Sequence, residues 1–414
     1  MWGKGLNLLV YEHVSGGGFA GQKIPSSILS EGYGMLRTSV SDFKAAGHNV
    51  TTFLDSRLKA FNPPIEADVI IPISSHKELD EALRKISQTV DAFYTIAPES
   101  ERILQRLVET MGTSGAASLN CKTNAIRRAS NRMTSYQALK KMGLCVPETL
   151  IVDARENVKQ IKRKISELEY PMVFKPMYGV SCSGLSVVRD ESQIVAAVNK
   201  ITKESLDKFF VAQRLIKGVA TSVSLISTDN QALPITLNKQ KITLAPPNSD
   251  SSYNGGTVPL HHSSEKQALR AAQLTVKSLR GLRGYIGVDV ILTNEEPVVI
   301  EVNPRLTTSY IGFREVVNFN PAQAIIDAVL VHRLPENVRC SGYASHLKVK
   351  IAVPTKEILT NIYGMKEVIS PPFPVTGDKS AYALLASRGA KLKDTETGLF
   401  KAKSHLLDAF HSGD

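Results

Sequence analysis

Two apolar runs, Tyr285–Leu292 and Val298–Val302, flank the polar stretch Thr293–Glu296 and Pro297, and together they read as a β-hairpin. Folded about Glu295, the hairpin sets Asp289 opposite Glu301, each six residues from the centre. Asn303 falls on the same face, two residues past Glu301. Opposed carboxylates repel across a sheet, and ordinary strands avoid them. A hard divalent cation converts that repulsion into a site, because Mg²⁺ takes one or two carboxylates and completes its shell with substrate phosphates. The plainer reading is a solvent-facing hairpin with scattered acids, which the Val/Ile-rich surroundings disfavour.

The 414 residues allow two or three domains with their own cores. Hydrophobic residues make up 43% and charged residues 21%, an ordinary globular balance. No apolar run approaches the ~18 residues of a membrane span, and the first twelve residues are a poor match to a signal peptide. Cys121, Cys145, Cys182 and Cys340 lie far apart without CxxC spacing, which argues against zinc or a disulfide framework and fits the cytoplasm. The net charge of +11 is concentrated: residues 122–164 hold eleven Lys/Arg against three Asp/Glu. Most of these stand at helical spacing and read as solvated helix faces. A basic surface also attracts anionic substrates, but no nucleic-acid motif accompanies it.

Strand and helix patterns alternate up to about residue 111, predicting an open α/β sheet with ligands beyond the strand C-termini. Gly16, Gly17 and Gly18 follow the first strand and are weak candidates for substrate contact. A boundary falls at 112–120, a single helix is expected over 122–143, and 240–262 reads as a long mobile loop with Pro246, Pro247 and Pro259. The expected domains are 1–117, 118–335 and a C-terminal extension 336–414 in which no chemistry is visible.

Lys175 ends the strand Pro-Met-Val-Phe-Lys, and the loop that follows contains Gly179, Ser181, Ser183 and Gly184. Backbone N–H groups and hydroxyls in such a loop can close over phosphate oxygens, with the lysine as a point charge. The Walker order GxxxxGK[ST] is absent.

Lys175 with its Gly/Ser loop, the stretch Val211–Gly218, Asp289 and Ile300–Arg305 resemble, in order and spacing, the ATP-grasp superfamily. The N-terminal phrases Val10–Gly18 and Glu31–Leu36 are similar to a narrower group, the tyramine–glutamate ligases of methanofuran biosynthesis. The resemblance implies an N-terminal open α/β sheet domain, a two-subdomain ATP-grasp fold of α+β type, and ligation of a carboxylate to an amine through an acyl phosphate. It also implies ATP and Mg²⁺ (or Mn²⁺) as cofactors. By position, Lys175 would contact the α/β-phosphates and 179–184 would form the lid. Gln213, Arg214, Leu215 and Ile216 would hold the base, with Gln213 where an acid is usual. Asp289, Glu301 and Asn303 would bind metal, and Arg305 would stabilise the transferring phosphoryl group. Arg132 stands where a lysine is expected, and Ala220 where an acid often contacts ribose.

Asn238, Gln240 and Thr307 are softer substrate-side candidates, although Thr307-Thr308-Ser309 serves equally as a helix N-cap run. The expected partners are a small carboxylate and a small amine, with a homodimer as a candidate assembly and no nucleic acid or membrane. The rival functions are an ATP-grasp ligase for other amino acids or peptides, a non-catalytic nucleotide-binding protein, and an RNA-binding protein.

Overall fold

The computed structural model describes residues 5–179, 182–375, 377 and 379–411; Ser181 lies outside them. Five strands form a parallel sheet: β1 (Asn7–Glu12), β2 (Asn49–Asp55), β3 (Val69–Ile73), β4 (Ala92–Ile96) and β5 (Ala117–Ser118), in the order β3-β2-β1-β4-β5. The order reverses at β1, so the crevice for a ligand lies beyond the C-terminal ends of β1 and β4. A four-stranded sheet follows, of β6 (Thr149–Asp153), β7 (Met172–Pro176), β8 (Ser186–Val188) and β9 (Phe209–Arg214), ordered β6-β9-β7-β8. The third sheet has eight strands: β10 (Val219–Ser227), β11 (Ala232–Thr243), β12 (Ser252–Val258), β13 (Gly284–Leu292), β14 (Val298–Asn303), β15 (Tyr343–Ile351), β16 (Val368–Ser370) and β17 (Ala381–Gly389). Its order is β14-β13-β10-β11-β12-β15-β17-β16, antiparallel throughout.

The expected hairpin is β13–β14, and its register pairs Asp289 with Glu301, followed by a bulge before Val290. Two expectations need correction. The stretch 240–262 is mostly strand: β11 runs to Thr243 and β12 starts at Ser252, confining Pro246 and Pro247 to the connection. The loop reading failed because Gly255 in β12 reports close packing rather than flexibility. It has φ +130°, and a Cβ there would sit 2.1 Å from the His346 carbonyl oxygen on β15. The single helix over 122–143 is two, Thr123–Ser130 and Arg132–Lys141, broken at Asn131. The Asn131 side chain accepts from Thr134 N at 2.9 Å, an N-cap that places Arg132 at the first turn of the second helix.

The Ser26–Ala45 helix joins the layers. Its Gly32 abuts the Glu12 carboxylate at the end of β1, where a Cβ would lie 2.7 Å from both oxygens. Gly34, on another side, approaches Leu384 of β17 equally closely, at 2.8 Å. Buried apolar side chains of the parallel sheet, including Leu9 and Phe93, share one core with Val223, Ile286 and Val302 of the large sheet. The segment beyond residue 336 contributes β15–β17 to that same sheet, with the Leu392–His411 helix packed over them. No helix among the described residues is long and apolar enough to cross a membrane.

Candidate active site

A cleft of about 390 Å³ opens where the three sheets meet. It gathers the ends of β1 and β4, the Ser26–Ala45 helix, β7, β9 and the faces of β10, β11, β13 and β14. Of the expected residues, Arg132, Lys175, Gly179, Ser183, Gln213, Arg214, Leu215, Ile216, Asp289, Glu301, Asn303, Arg305 and Thr307 all line it.

At its centre Asp289 and Glu301 face each other on β13 and β14. Gln240 Nε2 donates to Asp289 Oδ1 at 2.9 Å and Asn303 Nδ2 to Oδ2 at 3.1 Å. Burial first, and then the Glu301 charge, push the Asp289 carboxyl up to about 6. Burial also acts upward on Glu301, but Arg132 and Lys175 outweigh it and hold that carboxyl below its ordinary range. One acid is thus satisfied by cations and the other is left short of positive charge. That imbalance suits a divalent cation. Among the described residues no cluster of three or more His, Cys, Asp or Glu forms a metal cage. The donor set is two carboxylates plus the Asn303 Oδ1, which its amide nitrogen leaves free while turned to Asp289. Such a set fits Mg²⁺ held jointly with phosphates.

Lys175, 4% exposed at the end of β7, points into this charge cluster. Burial and the neighbouring Arg132 hold its amine down at about 8. Arg132 crosses from the metal side to the lid: Nη2 donates to Glu301 Oε1 at 3.0 Å, and Nη1 donates to Pro176 O at 2.6 Å. A third contact runs to Gly179 O at 3.3 Å. In the lid, Glu204 accepts from Ser183 Oγ at 2.8 Å and Gly184 N at 2.6 Å. Gly184, at φ +68°, is packed on Pro176 rather than facing the cleft.

The structure sets aside some substrate-side candidates. Asn238 is buried behind the cleft, donating to Ser222 Oγ and to Ser224 Oγ at 2.9 Å, while its strand neighbour Gln240 faces the cleft. Gly16, Gly17 and Gly18 do not line the cleft; their absent side chains make room for Glu12, Ile73 and His13. The hydroxyls of Thr307-Thr308-Ser309 do not cap the Tyr310–Val316 helix. Thr307 instead meets Tyr285 OH at 3.2 Å, and Thr308 donates to Glu31 at 3.1 Å.

Several residues in or just behind the cleft were missed. Glu99, just past β4, accepts from Arg305 Nε at 2.9 Å and fixes the arginine's direction. Its position after a parallel-strand C-terminus was the available signal. Glu31 lines the cleft and is held by Lys348 of β15 at 2.6 Å. Tyr253 also lines it and meets His346 of β15 at 2.6 Å. Residues 336–414 therefore do bring chemistry to the site, through His346 and Lys348.

The cleft thus brings together a lysine beside a Gly/Ser loop, a carboxylate pair on a hairpin and an arginine just beyond it. Residues 129–309 match the ATP-grasp domain, and residues 48–126 match the pre-ATP-grasp 3 domain. Together the two matches span most of residues 48–309, and the chain carries an ATP-grasp domain behind a pre-ATP-grasp domain. It is 28% identical over 309 residues to the tyramine–L-glutamate ligase of Methanocaldococcus fervens, covering 74% of this chain and 89% of that one. Two solved structures share its fold. The L-amino acid ligase of Bacillus licheniformis has 15% identity and TM-score 0.68, over 97% of this chain and 98% of the other. The N5-carboxyaminoimidazole synthetase of Staphylococcus aureus, complexed with ADP, has 15% identity and TM-score 0.68, over 97% of both chains. ATP and Mg²⁺ are the cofactors typical of this superfamily.

Proposed function

We propose that the chain is an ATP-dependent, ADP-forming carboxylate–amine ligase, that the carboxylate is the side-chain carboxyl of glutamate, and that the amine is tyramine or a related aryl-ethylamine. The observation that carries this reading is an apolar chamber on the Arg305 side of the cleft, lined by Val14, Ile28, Met35, Ile96 and Pro98. It opens beside Glu31, Thr307 and Thr308, and its apolar walls suit an aromatic ring while those polar groups suit the rest of the substrates. The printed activity of the Methanocaldococcus relative supports the same pairing.

In this reading Lys175 and Arg132 hold the phosphates, Leu215 and Ile216 present backbone groups to the base, and Asp289, Glu301 and Asn303 hold Mg²⁺. When bound, Mg²⁺ neutralises phosphate charge and orients the γ-phosphoryl group. A carboxylate oxygen of glutamate attacks the γ-phosphorus, the bond to the β,γ-bridging oxygen breaks, and ADP leaves with the electron pair. Arg305, fixed by Glu99, lies beside the carboxylate pair and stabilises charge on the transferring group. The amine then attacks the acyl carbon, the acyl–oxygen bond breaks towards phosphate, and the nitrogen gives up a proton. Four free cysteines are consistent with a cytoplasmic setting.

The test is ADP release across a panel of amino acids and amines, with the product identified by mass spectrometry. Glutamate labelled with ¹⁸O in its side-chain carboxyl should transfer one label to phosphate when tyramine is present. Release of AMP, or coupling without label transfer, would overturn the acyl-phosphate route. Productive coupling only with other amino acids would leave that route standing and remove the glutamate–tyramine pairing.

A further inference from the structure

The inner end of the cleft is a slot lined by Pro147, Val173, Leu215, Leu244, Ile291 and Ile300, adjoining Lys175. An apolar slot that leads to buried cations fits a planar base followed by phosphates. Gln213 on β9 enters this slot as a buried polar side chain, 6% exposed. A carboxamide has two unlike faces: Oε1 only accepts hydrogen bonds and Nε2 only donates. An unrestrained glutamine can rotate to show either, and so cannot discriminate between a ligand that donates and one that accepts.

Here the rotation is blocked by a hydrogen-bond chain. Gln213 Nε2 lies 2.7 Å from Thr149 Oγ1, and Thr149 Oγ1 lies 2.8 Å from Pro147 O. A carbonyl oxygen cannot donate, so the one hydroxyl proton of Thr149 goes to Pro147. The hydroxyl oxygen can then only accept from Gln213, and the group facing it must be the amide nitrogen. Thr149 is itself 5% exposed, so water does not compete for the contact. The Gln213 side chain makes no other hydrogen bond among the described residues, and Oε1 is the atom left for a ligand in the cleft.

We propose that Thr149 is a positioning residue that selects the nucleobase. By fixing Gln213 with its carbonyl oxygen outward, it favours a purine that donates from a 6-amino group and rejects one that presents a 6-keto oxygen. The glutamine then presents only an acceptor, as an acid at that position would, without adding a negative charge near the phosphates. The inference rests on nucleotide binding in this slot and not on the identity of the carboxylate or amine.

The experiment is calorimetric titration of the full chain with ADP and with IDP in the presence of Mg²⁺, without other substrates. These nucleotides differ only at the base, where the 6-amino group becomes 6-keto and N1 gains a proton. The wild type should prefer ADP. Thr149→Val frees the amide to rotate, and the ADP/IDP preference should fall about tenfold, the worth of one well-placed hydrogen bond. Thr149→Ser should keep the preference. Thr149→Val combined with Gln213→Glu should restore it, because a carboxylate has no donor face to present. Gln213→Leu, which removes both faces, should lower the ADP/IDP preference by a similar factor and gives an independent reading if Thr149→Val does not fold. A Thr149→Val protein that weakens both nucleotides equally, or a double variant that fails to recover selectivity, would show that Thr149 only supports the fold.

Discussion

The proposed nucleotide half of the cleft and its apolar half are built in opposite ways. On the nucleotide side, each functional group sits in a short segment that names itself: a strand ending in Lys175 with its lid, the end of β9, and the β13–β14 hairpin. On the apolar side, the decisive contacts join residues far apart in the chain. Glu31 and Lys348 are separated by 317 residues, and Glu99 and Arg305 by 206. Local segments can be recognised from spacing and strand alternation, whereas a chamber assembled from a helix, two strand ends and a distant strand cannot. Variants should separate nucleotide binding from chemistry, and that separation is open to test.

The largest effect should come from the carboxylate pair, at the join between the halves. Asp289→Asn and Glu301→Gln should each abolish ADP release at any Mg²⁺ concentration, and shrink the thermal protection that Mg²⁺ and nucleotide give. Their effects on the ligand-free fold should differ in sign. Folding raises the Asp289 carboxyl from 3.8 to about 6, so its ionised form costs stability. That cost is absent below the unfolded value and fully felt once pH rises through about 6. Asp289→Asn should therefore raise the melting temperature measured with chelator at pH 8, and change it less at pH 5. Glu301→Gln should lower it, because Arg132 loses its buried partner. Equal losses from both variants would mean that the acids are structural and not a poised metal site.

Next in size, Glu99→Gln should lower kcat by roughly 10–100-fold, the loss of a charge-assisted contact that aims Arg305. ADP affinity should hardly change, since the Glu99 side chain is hydrogen-bonded to Arg305. A matching loss of ADP affinity would erase the division between the halves. Lys175→Ala makes the reciprocal case. It should weaken ADP and ATP by about 1.5–3 kcal/mol, read by calorimetry. A Lys175→Ala protein with unchanged affinity would remove that lysine from the phosphate site.

The same contrast explains what could be read in advance. Asp289 opposite Glu301 followed from strand alternation and the position of the loop, because a hairpin's register is local. The break at Asn131 was less visible, since its only mark is one capping side chain in an otherwise helical pattern. The Lys348–Glu31 pair was invisible for a different reason. Nothing around Lys348 distinguishes it from Lys350 on the same strand, and only the packing of β15 beside the Ser26–Ala45 helix decides which lysine is buried. Gly255 and the three glycines after β1 misled in the same way. A glycine forced by close approach and a glycine allowing motion look alike until the neighbouring backbone is placed.

The smallest expected effect is a pH dependence confined to the nucleotide half. Lys175 is held down to about 8, by burial first and by the Arg132 charge second, against an ordinary 10.5. The groups facing it do not titrate near that value. Glu301 lies below its ordinary range, Asp289 is already ionised above about 6, and Cys182 is pushed up to about 12 by burial. Bound phosphates favour the charged lysine and raise its pKa. At pH 7 the amine is already protonated, and binding ADP needs no proton at this position. At pH 9 most of the free protein carries a neutral lysine, so binding must draw one proton from solvent. ADP affinity should therefore fall as pH rises above 8, by up to about tenfold per unit, until the bound form's own pKa is reached. Titrations at each pH in buffers of different ionisation enthalpy should give near-zero proton uptake at pH 7 and uptake approaching one proton at pH 9. Lys175→Arg, cationic throughout, should abolish the uptake while retaining phosphate attraction. Persistence of the uptake in that variant would assign it to another group and leave Lys175 without a titrating role in nucleotide binding.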